Sequence, residues 1–217
     1  MQKILIVDNY DSFTYNLVHI VKKLANAHLE VLRNDELLPE DVQYYDKIIL
    51  SPGPGLPEEA GIMKEVITRF SPHKSIFGVC LGMQGITEVF GGKLYNMDKV
   101  YHGIATEIGI IKNDKLFEGL PDKFRGGRYH SWAVDTQKLP GNLEITAIDE
   151  NSTVMAIRHK HYDVKGVQFH PESIMTPYGM KIISNWLGTT VKEGLTLPTN
   201  DNINFNSEII KNGYLFC

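Results

Sequence analysis

Cysteine is nearly absent from this chain: Cys80 and Cys217 are the two in 217 residues. A small secreted domain held by disulfides would carry more of them at regular spacing, so that class is excluded. Long apolar runs are missing too. The longest, KILIV and KIILS, fall far short of the ~20 residues a membrane-spanning helix needs. Residues 1–20 lack a leader pattern, and a cytoplasmic protein is the expectation. There is no basic stripe, and the formal net charge is −4, so nucleic acid is not an expected partner. Internal repeats and low-complexity tracts are also lacking.

What remains is the composition of a soluble globular protein, 42% hydrophobic and 22% charged. The length suits one large domain with a sizeable core. Residues 3–8 (KILIVD), 29–33, 46–50 and 75–79 read as short buried strands. Between them fall helical patterns. Leu17, Ile20, Val21 and Leu24 share one face after Ser12, a candidate cap. Met63, Val66, Ile67 and Phe70 mark a second helix, and residues 81–90 a third. This alternation predicts an α/β fold with a mostly parallel central sheet flanked by helices. The second half is richer in strands, at 104–111, 127–135, 143–149, 154–159 and 164–169, which suit antiparallel additions to that sheet. A closing helix uses Ile183, Trp186 and Leu187. Residues 1–188 are expected to form the domain, and 189–217 a loosely packed tail. Ligands of open α/β sheets sit beyond the carboxyl ends of the strands, so the loops 8–12, 51–59, 80–84 and 170–175 become candidate site loops.

Gly78-Val79-Cys80-Leu81-Gly82 joins a predicted strand to a predicted helix. It has the layout of a nucleophile elbow with Cys in place of Ser. The glycines permit the close backbone approach of a sharp turn. A helix N-terminus and a neighbouring imidazolium favour the thiolate over the thiol, whose ordinary pKa of about 8.5 leaves only a few per cent ionised at neutral pH. The alternative is a buried structural cysteine, the common fate of a free thiol. Among eight histidines, His170 ends a strand and is followed by Pro171 and Glu172. From a strand end it can reach Cys80, with a carboxylate to hold its second ring nitrogen. His-Pro-Glu fits an exposed turn equally well. His130 falls in a strand-like run. Ser51-Pro52-Gly53-Pro54-Gly55 follows a buried strand. It can aim an N–H into a cavity beside that of Leu81, as an oxyanion hole, or serve as a rigid turn.

Taken together, SPGPGLPEEAG, GVCLGMQ, RYHSW and GVQFHPES resemble, in order and over about residues 1–188, the class I (triad-type) glutamine amidotransferase family. The resemblance implies Cys80, His170 and Glu172 as a catalytic triad that hydrolyses glutamine. It implies Gly53 and Leu81 as backbone oxyanion donors. It also implies Pro52, Gly53, Gln84 and the backbone of Ser131 and Trp132 as the glutamine site. The opening Asp8-Asn9-Tyr10-Asp11-Ser12-Phe13-Thr14 is similar to that of subunits feeding ammonia to chorismate-using synthases, of the anthranilate or the aminodeoxychorismate kind. Asn9, Tyr10, Asp11, Ser12, Phe13 and Thr14 are accordingly expected at the face of a synthase partner. Met83, Trp132 and Ile104 depart from residues that this subfamily often carries. The resemblance implies no metal and no organic cofactor for this chain.

Overall fold

A computed structural model describes residues 1–191, so the expected tail lies outside the described residues from 192 onward, as does Cys217. Strand β1 (Lys3–Asp8) has four consecutive residues with no exposure, Ile4 to Val7. A pleated strand sends alternate side chains to opposite faces, so a continuous apolar run must be covered on both. Helices α1 (Thr14–Leu24) and α4 (Gly179–Leu187) pack with Ile4 and Ile6 on one face. Helices α2 (Met63–Phe70) and α3 (Leu81–Val89) pack with Leu5 and Val7 on the other.

Beside β1 lie β2 (His28–Arg33), β3 (Lys47–Leu50) and β4 (Ser75–Val79), all parallel. A short strand β5 (Leu94–Asn96) follows α3, then β6 (Ile104–Ile110), β7 (Lys123–Arg128), β8 (Trp132–Val134), β9 (Leu143–Asp149), β10 (Val154–His159) and β11 (Val164–Val167). Nine strands form one sheet in the order β2-β1-β3-β4-β11-β10-β9-β6-β7. The pairs from β2 to β11 are parallel, and those from β11 to β7 antiparallel. This is the α/β architecture expected, with the antiparallel strands contributed by the second half. A separate two-stranded antiparallel sheet pairs β5 with β8.

Four local expectations need correction. Ser12 does not cap α1. The helix begins at Thr14 with no side-chain cap, and Asp11 Oδ1 takes the Phe13 N–H at 2.7 Å instead. The run 127–135 is not one strand. It breaks at Tyr129–Ser131, because β7 stays in the main sheet while β8 leaves to pair with β5. His130 therefore sits between strands. Strand β11 ends at Val167 rather than 169. Short strand β5 has no counterpart in the expected pattern.

The carboxyl ends of β1, β3, β4 and β11 lie side by side in the sheet, with Val7 opposite Leu50, Leu50 opposite Gly78, and Val79 opposite Val167. The loops leaving these ends are therefore neighbours. No helix among the described residues is long and apolar enough to cross a membrane.

Candidate active site

Cys80 follows β4 directly and precedes α3, at φ 52 and ψ −102. A non-glycine residue held at positive φ stores about 1–3 kcal/mol, which the surroundings must offset. Here the Cys80 N–H is anchored to Val167 O at 2.7 Å, and its carbonyl accepts from the Gln84 N–H at 3.0 Å as α3 starts. The flanking glycines are required by contact. A Cβ on Gly78 would stand 2.5 Å from the Gly82 carbonyl carbon, and one on Gly82 2.5 Å from Leu50 O.

Because Val79 pairs with Val167, the chain leaving β11 delivers His170 next to Cys80. The His170 backbone is fixed by Gly127 O, which accepts its N–H at 2.9 Å, and by the Thr176 hydroxyl, which donates to its carbonyl at 2.6 Å. Its Nδ1 meets Glu172 Oε1 at 2.7 Å, and both side chains are buried. His-Pro-Glu is thus not an exposed turn. Burial pushes the His170 pKa down. The Glu172 charge and the Cys80 sulfur more than offset this and hold it well above the ordinary imidazole value. His170 Nε2 is buried and has no hydrogen-bond partner among the described residues. With Nδ1 occupied by Glu172, Nε2 is the nitrogen left to exchange a proton with a reacting group.

Two aromatic rings cover this imidazole edge-on: Phe13 with centroids 5.3 Å apart and Tyr129 at 4.8 Å. Asp11 lies close by. Burial raises its pKa, the Phe13 N–H and the His170 charge oppose the rise, and Glu172 and Asp8 add to it. Asn9 and Thr14, expected at a partner face, turn inward instead: they are 2% and 0% exposed. Asn9 binds the Ser51 backbone and hydroxyl, and Thr14 donates to Asp8. Tyr10 and Ser12 are exposed, and Asp11 and Phe13 half-buried.

Gly53 and Leu81 are brought together. A Cβ on Gly53 would stand 2.7 Å from Leu81 Cδ2 and 2.6 Å from Asn9 O. Among the described residues, neither the Gly53 nor the Leu81 N–H has a backbone partner. Pro52, the residue before Gly53, is buried.

A chain of amides links Cys80 to the opposite wall. Gln168 Nε2 donates to Cys80 Sγ at 3.4 Å, and Gln84 Nε2 donates both to Gln168 Oε1 at 3.2 Å and to Trp132 O at 3.1 Å. Both Gln84 N–H bonds are thereby occupied, which leaves its Oε1 for a ligand. Sequence reasoning passed over Gln168, since a glutamine at a strand end carries no signal of its own.

The wall itself rests on charge. Trp132 O also takes His130 Nδ1 at 2.8 Å, and Arg128 Nε donates to His130 Nε2 at 3.1 Å. Arg128 is fully buried, pairs with Asp149 at 2.5 Å and lies 3.6 Å over the Tyr101 ring. Burial, with the Arg128 charge next, pushes the His130 pKa down to about 4. Neutral His130 is therefore a structural donor and not the base. Ser131 O accepts the Met97 N–H at 2.8 Å. Met83 is buried in the core and Ile104 is exposed at the start of β6. No group of three or more His, Cys, Asp or Glu among the described residues is placed to hold a metal.

A family model described as glutamine amidotransferase class-I matches residues 5–189. A putative anthranilate synthase component II of Haemophilus influenzae is 43% identical, covering 85% of this chain and 95% of its own. The aminodeoxychorismate/anthranilate synthase component 2 of Bacillus subtilis is also 43% identical, covering 88% and 98%. Among solved structures, a putative GMP synthase subunit of Thermoplasma acidophilum matches with a TM-score of 0.78 at 26% identity, covering 87% and 93%.

Proposed function

The chain belongs to the class I glutamine amidotransferases, and on that premise we propose that it hydrolyses glutamine through Cys80, His170 and Glu172. The ammonia passes to a chorismate-using synthase component, that of anthranilate synthase. The Bacillus relative, whose name joins two synthases, supports a second reading in which the same chain serves aminodeoxychorismate synthase as well.

The observation that carries the chemistry is the buried His170–Glu172 pair beside a cysteine on a positive-φ elbow. Cys80 Sγ attacks the side-chain amide carbon of glutamine. The oxygen that becomes negative is met by the Gly53 and Leu81 N–H groups. His170 Nε2 gives its proton to the departing amine, which leaves as ammonia, and a thioester remains on Cys80. His170 then takes a proton from water, the hydroxide breaks the thioester, and glutamate leaves. Glu172 keeps the imidazole oriented and stabilises its charged form. Gln84 Oε1 and the Ser131–Trp132 backbone hold the amino-acid end. No metal or organic cofactor enters any of these steps.

The synthase component docks on the loop after β1. Tyr10 and Ser12 meet it directly, and Asp11 and Phe13 lie between it and His170. Phe13 and Tyr129 cover the imidazole and keep bulk water from the ammonia. Cys80→Ala in the complex should abolish product formed from glutamine and leave product formed from ammonium salts. Glutamine-dependent turnover in that variant would overturn the assignment. Measuring product with each of the two synthase components decides between the two readings.

A further inference from the structure

We propose that the Ser51 hydroxyl is a positioning residue that sets the direction of the Gly53 N–H, and that Asn9 holds Ser51 in place. The inference rests on the glutaminase reading above, in which Gly53 supplies an oxyanion donor.

The connection runs through one peptide unit. Ser51 Oγ donates to Pro52 O at 2.7 Å. In a trans peptide the carbonyl and the N–H point in opposite directions, so a fixed Pro52 O fixes the Gly53 N–H. Gly53 has no side chain to resist rotation of that peptide, and its N–H has no backbone partner among the described residues. The hydroxyl is therefore the group that holds the donor's direction. It is itself held, because its oxygen accepts the Asn9 N–H at 2.8 Å. Asn9 Nδ2 donates to Ser51 O at 2.8 Å, and Asn9 Oδ1 accepts from Asn34 Nδ2 at 3.0 Å.

Ser51, Asn9 and Asn34 are 0%, 2% and 5% exposed. Such a latch competes with no water and keeps its geometry. Tyr10 follows Asn9 directly and is 49% exposed. A partner pressing on Tyr10 thus acts, through Asn9 and Ser51, on the peptide that carries the donor.

The test uses the complex with the synthase component. Removing an oxyanion donor outright costs about a hundred- to a thousandfold in kcat. Ser51→Ala loosens the donor without removing it, and is expected to lower glutaminase kcat by about tenfold or more with KM within about twofold. Alkylation of Cys80 by iodoacetamide, which needs no oxyanion hole, should keep its rate. Ser51→Thr, which keeps the hydroxyl, should recover much of kcat. A kcat within about twofold of wild type in Ser51→Ala overturns the proposal, as does an equal loss in Ser51→Thr with alkylation unchanged. Should Ser51→Ala not fold, Asn9→Ser takes its place: it keeps the backbone donor and removes the amide support. A smaller kcat loss is then expected, and an unchanged kcat overturns the proposal. A wild-type complex that releases no glutamate overturns the glutaminase reading and this proposal together.

Discussion

The parallel strands β1, β3, β4 and β11 and the antiparallel strands β6, β7, β9 and β10 both reach the active site, with different kinds of group. The parallel side delivers the groups proposed to react on tight turns: Cys80 at φ 52, the glycine-bearing loop at Gly53, and His170 three residues past β11. The antiparallel side sets a buried Arg128–Asp149 pair and, just past β7, a neutral His130 beneath a wall, Ser131–Trp132, that leads into β8 of the separate two-stranded sheet. Two of the buried histidines carry the contrast. Burial pushes both toward the neutral form; at His170 the Glu172 charge and the Cys80 sulfur outweigh it, whereas at His130 the Arg128 charge adds to it. One fold tunes the same side chain in both directions by choosing the sign of the neighbour.

The sharpest way to break this comparison is to remove each side's carboxylate charge. Glu172→Gln lets His170 shed its proton instead of staying charged and unpaired, so it should cost less stability than Asp149→Asn. It should lower glutaminase kcat by on the order of 10²–10⁴, as expected when a catalytic imidazole loses its orienting acid. Asp149→Asn should act the other way. Its Oδ1 still accepts the Asn151 and Thr153 N–H groups, but Arg128 is left charged, buried and uncompensated. Breaking such a pair costs about 3–5 kcal/mol. Urea unfolding of both variants, set against their kinetics, checks the exchange. A stable Asp149→Asn protein would show that Arg128 does not need its partner.

Acid and base sharpen the contrast further. His130 has a folded pKa of about 4 against 6.5 for the ordinary group. Between those values the unfolded chain binds the extra proton, so stability falls as pH drops through that window, by on the order of 3 kcal/mol. His170 is raised, so its contribution is complete below about 6.5 and is lost as pH rises through the higher folded value. Melting curves across pH should therefore show opposite limbs. His130→Gln should flatten the acid limb and Glu172→Gln the alkaline one. If His130→Gln changed both limbs alike, the assignment of the acid limb to His130 would be lost.

The same division explains what was legible in the sequence. The parallel half announces itself, because strands covered on both faces must be continuous apolar runs, and because Gly78 and Gly82 flank a cysteine at a strand–helix junction. The antiparallel half hides its design. Residues 127–135 keep strand-like composition across the break at Tyr129–Ser131, since β7 and β8 belong to different sheets. Arg128 and Asp149 lie 21 residues apart, and nothing in either stretch tells which acid would meet which base inside. Gln168 and Ser51 look like ordinary polar residues at strand ends until the neighbouring loops are placed. Ser12 was the obvious cap by type, but Asp11, one residue earlier, already bonds the Phe13 N–H.

The smallest expected effect concerns the exposed edge of the parallel side. Tyr10 stands at φ 62, its hydroxyl bonded to Asp35 at 2.8 Å and its ring under Arg33 at 4.8 Å. An exposed aromatic held in a costly backbone conformation by two neighbours is pre-organised, which lowers the entropy lost when a partner covers it. Tyr44 is more exposed, at 63%, but precedes β3 and so lies at the opposite end of the strands from the active-site loops. Replacing either exposed tyrosine by Ala should change the stability of the isolated chain by no more than about 0.5 kcal/mol. Binding should separate them. Tyr10→Ala should weaken association with the synthase component by about 1–2 kcal/mol, roughly five- to thirtyfold in Kd, the scale of an aromatic hot spot. Tyr44→Ala should leave Kd unchanged. Titration calorimetry of the two variants decides the matter. Equal affinities would mean that the synthase does not dock on the loop after β1, and that Tyr10 is held by Asp35 and Arg33 for the fold alone.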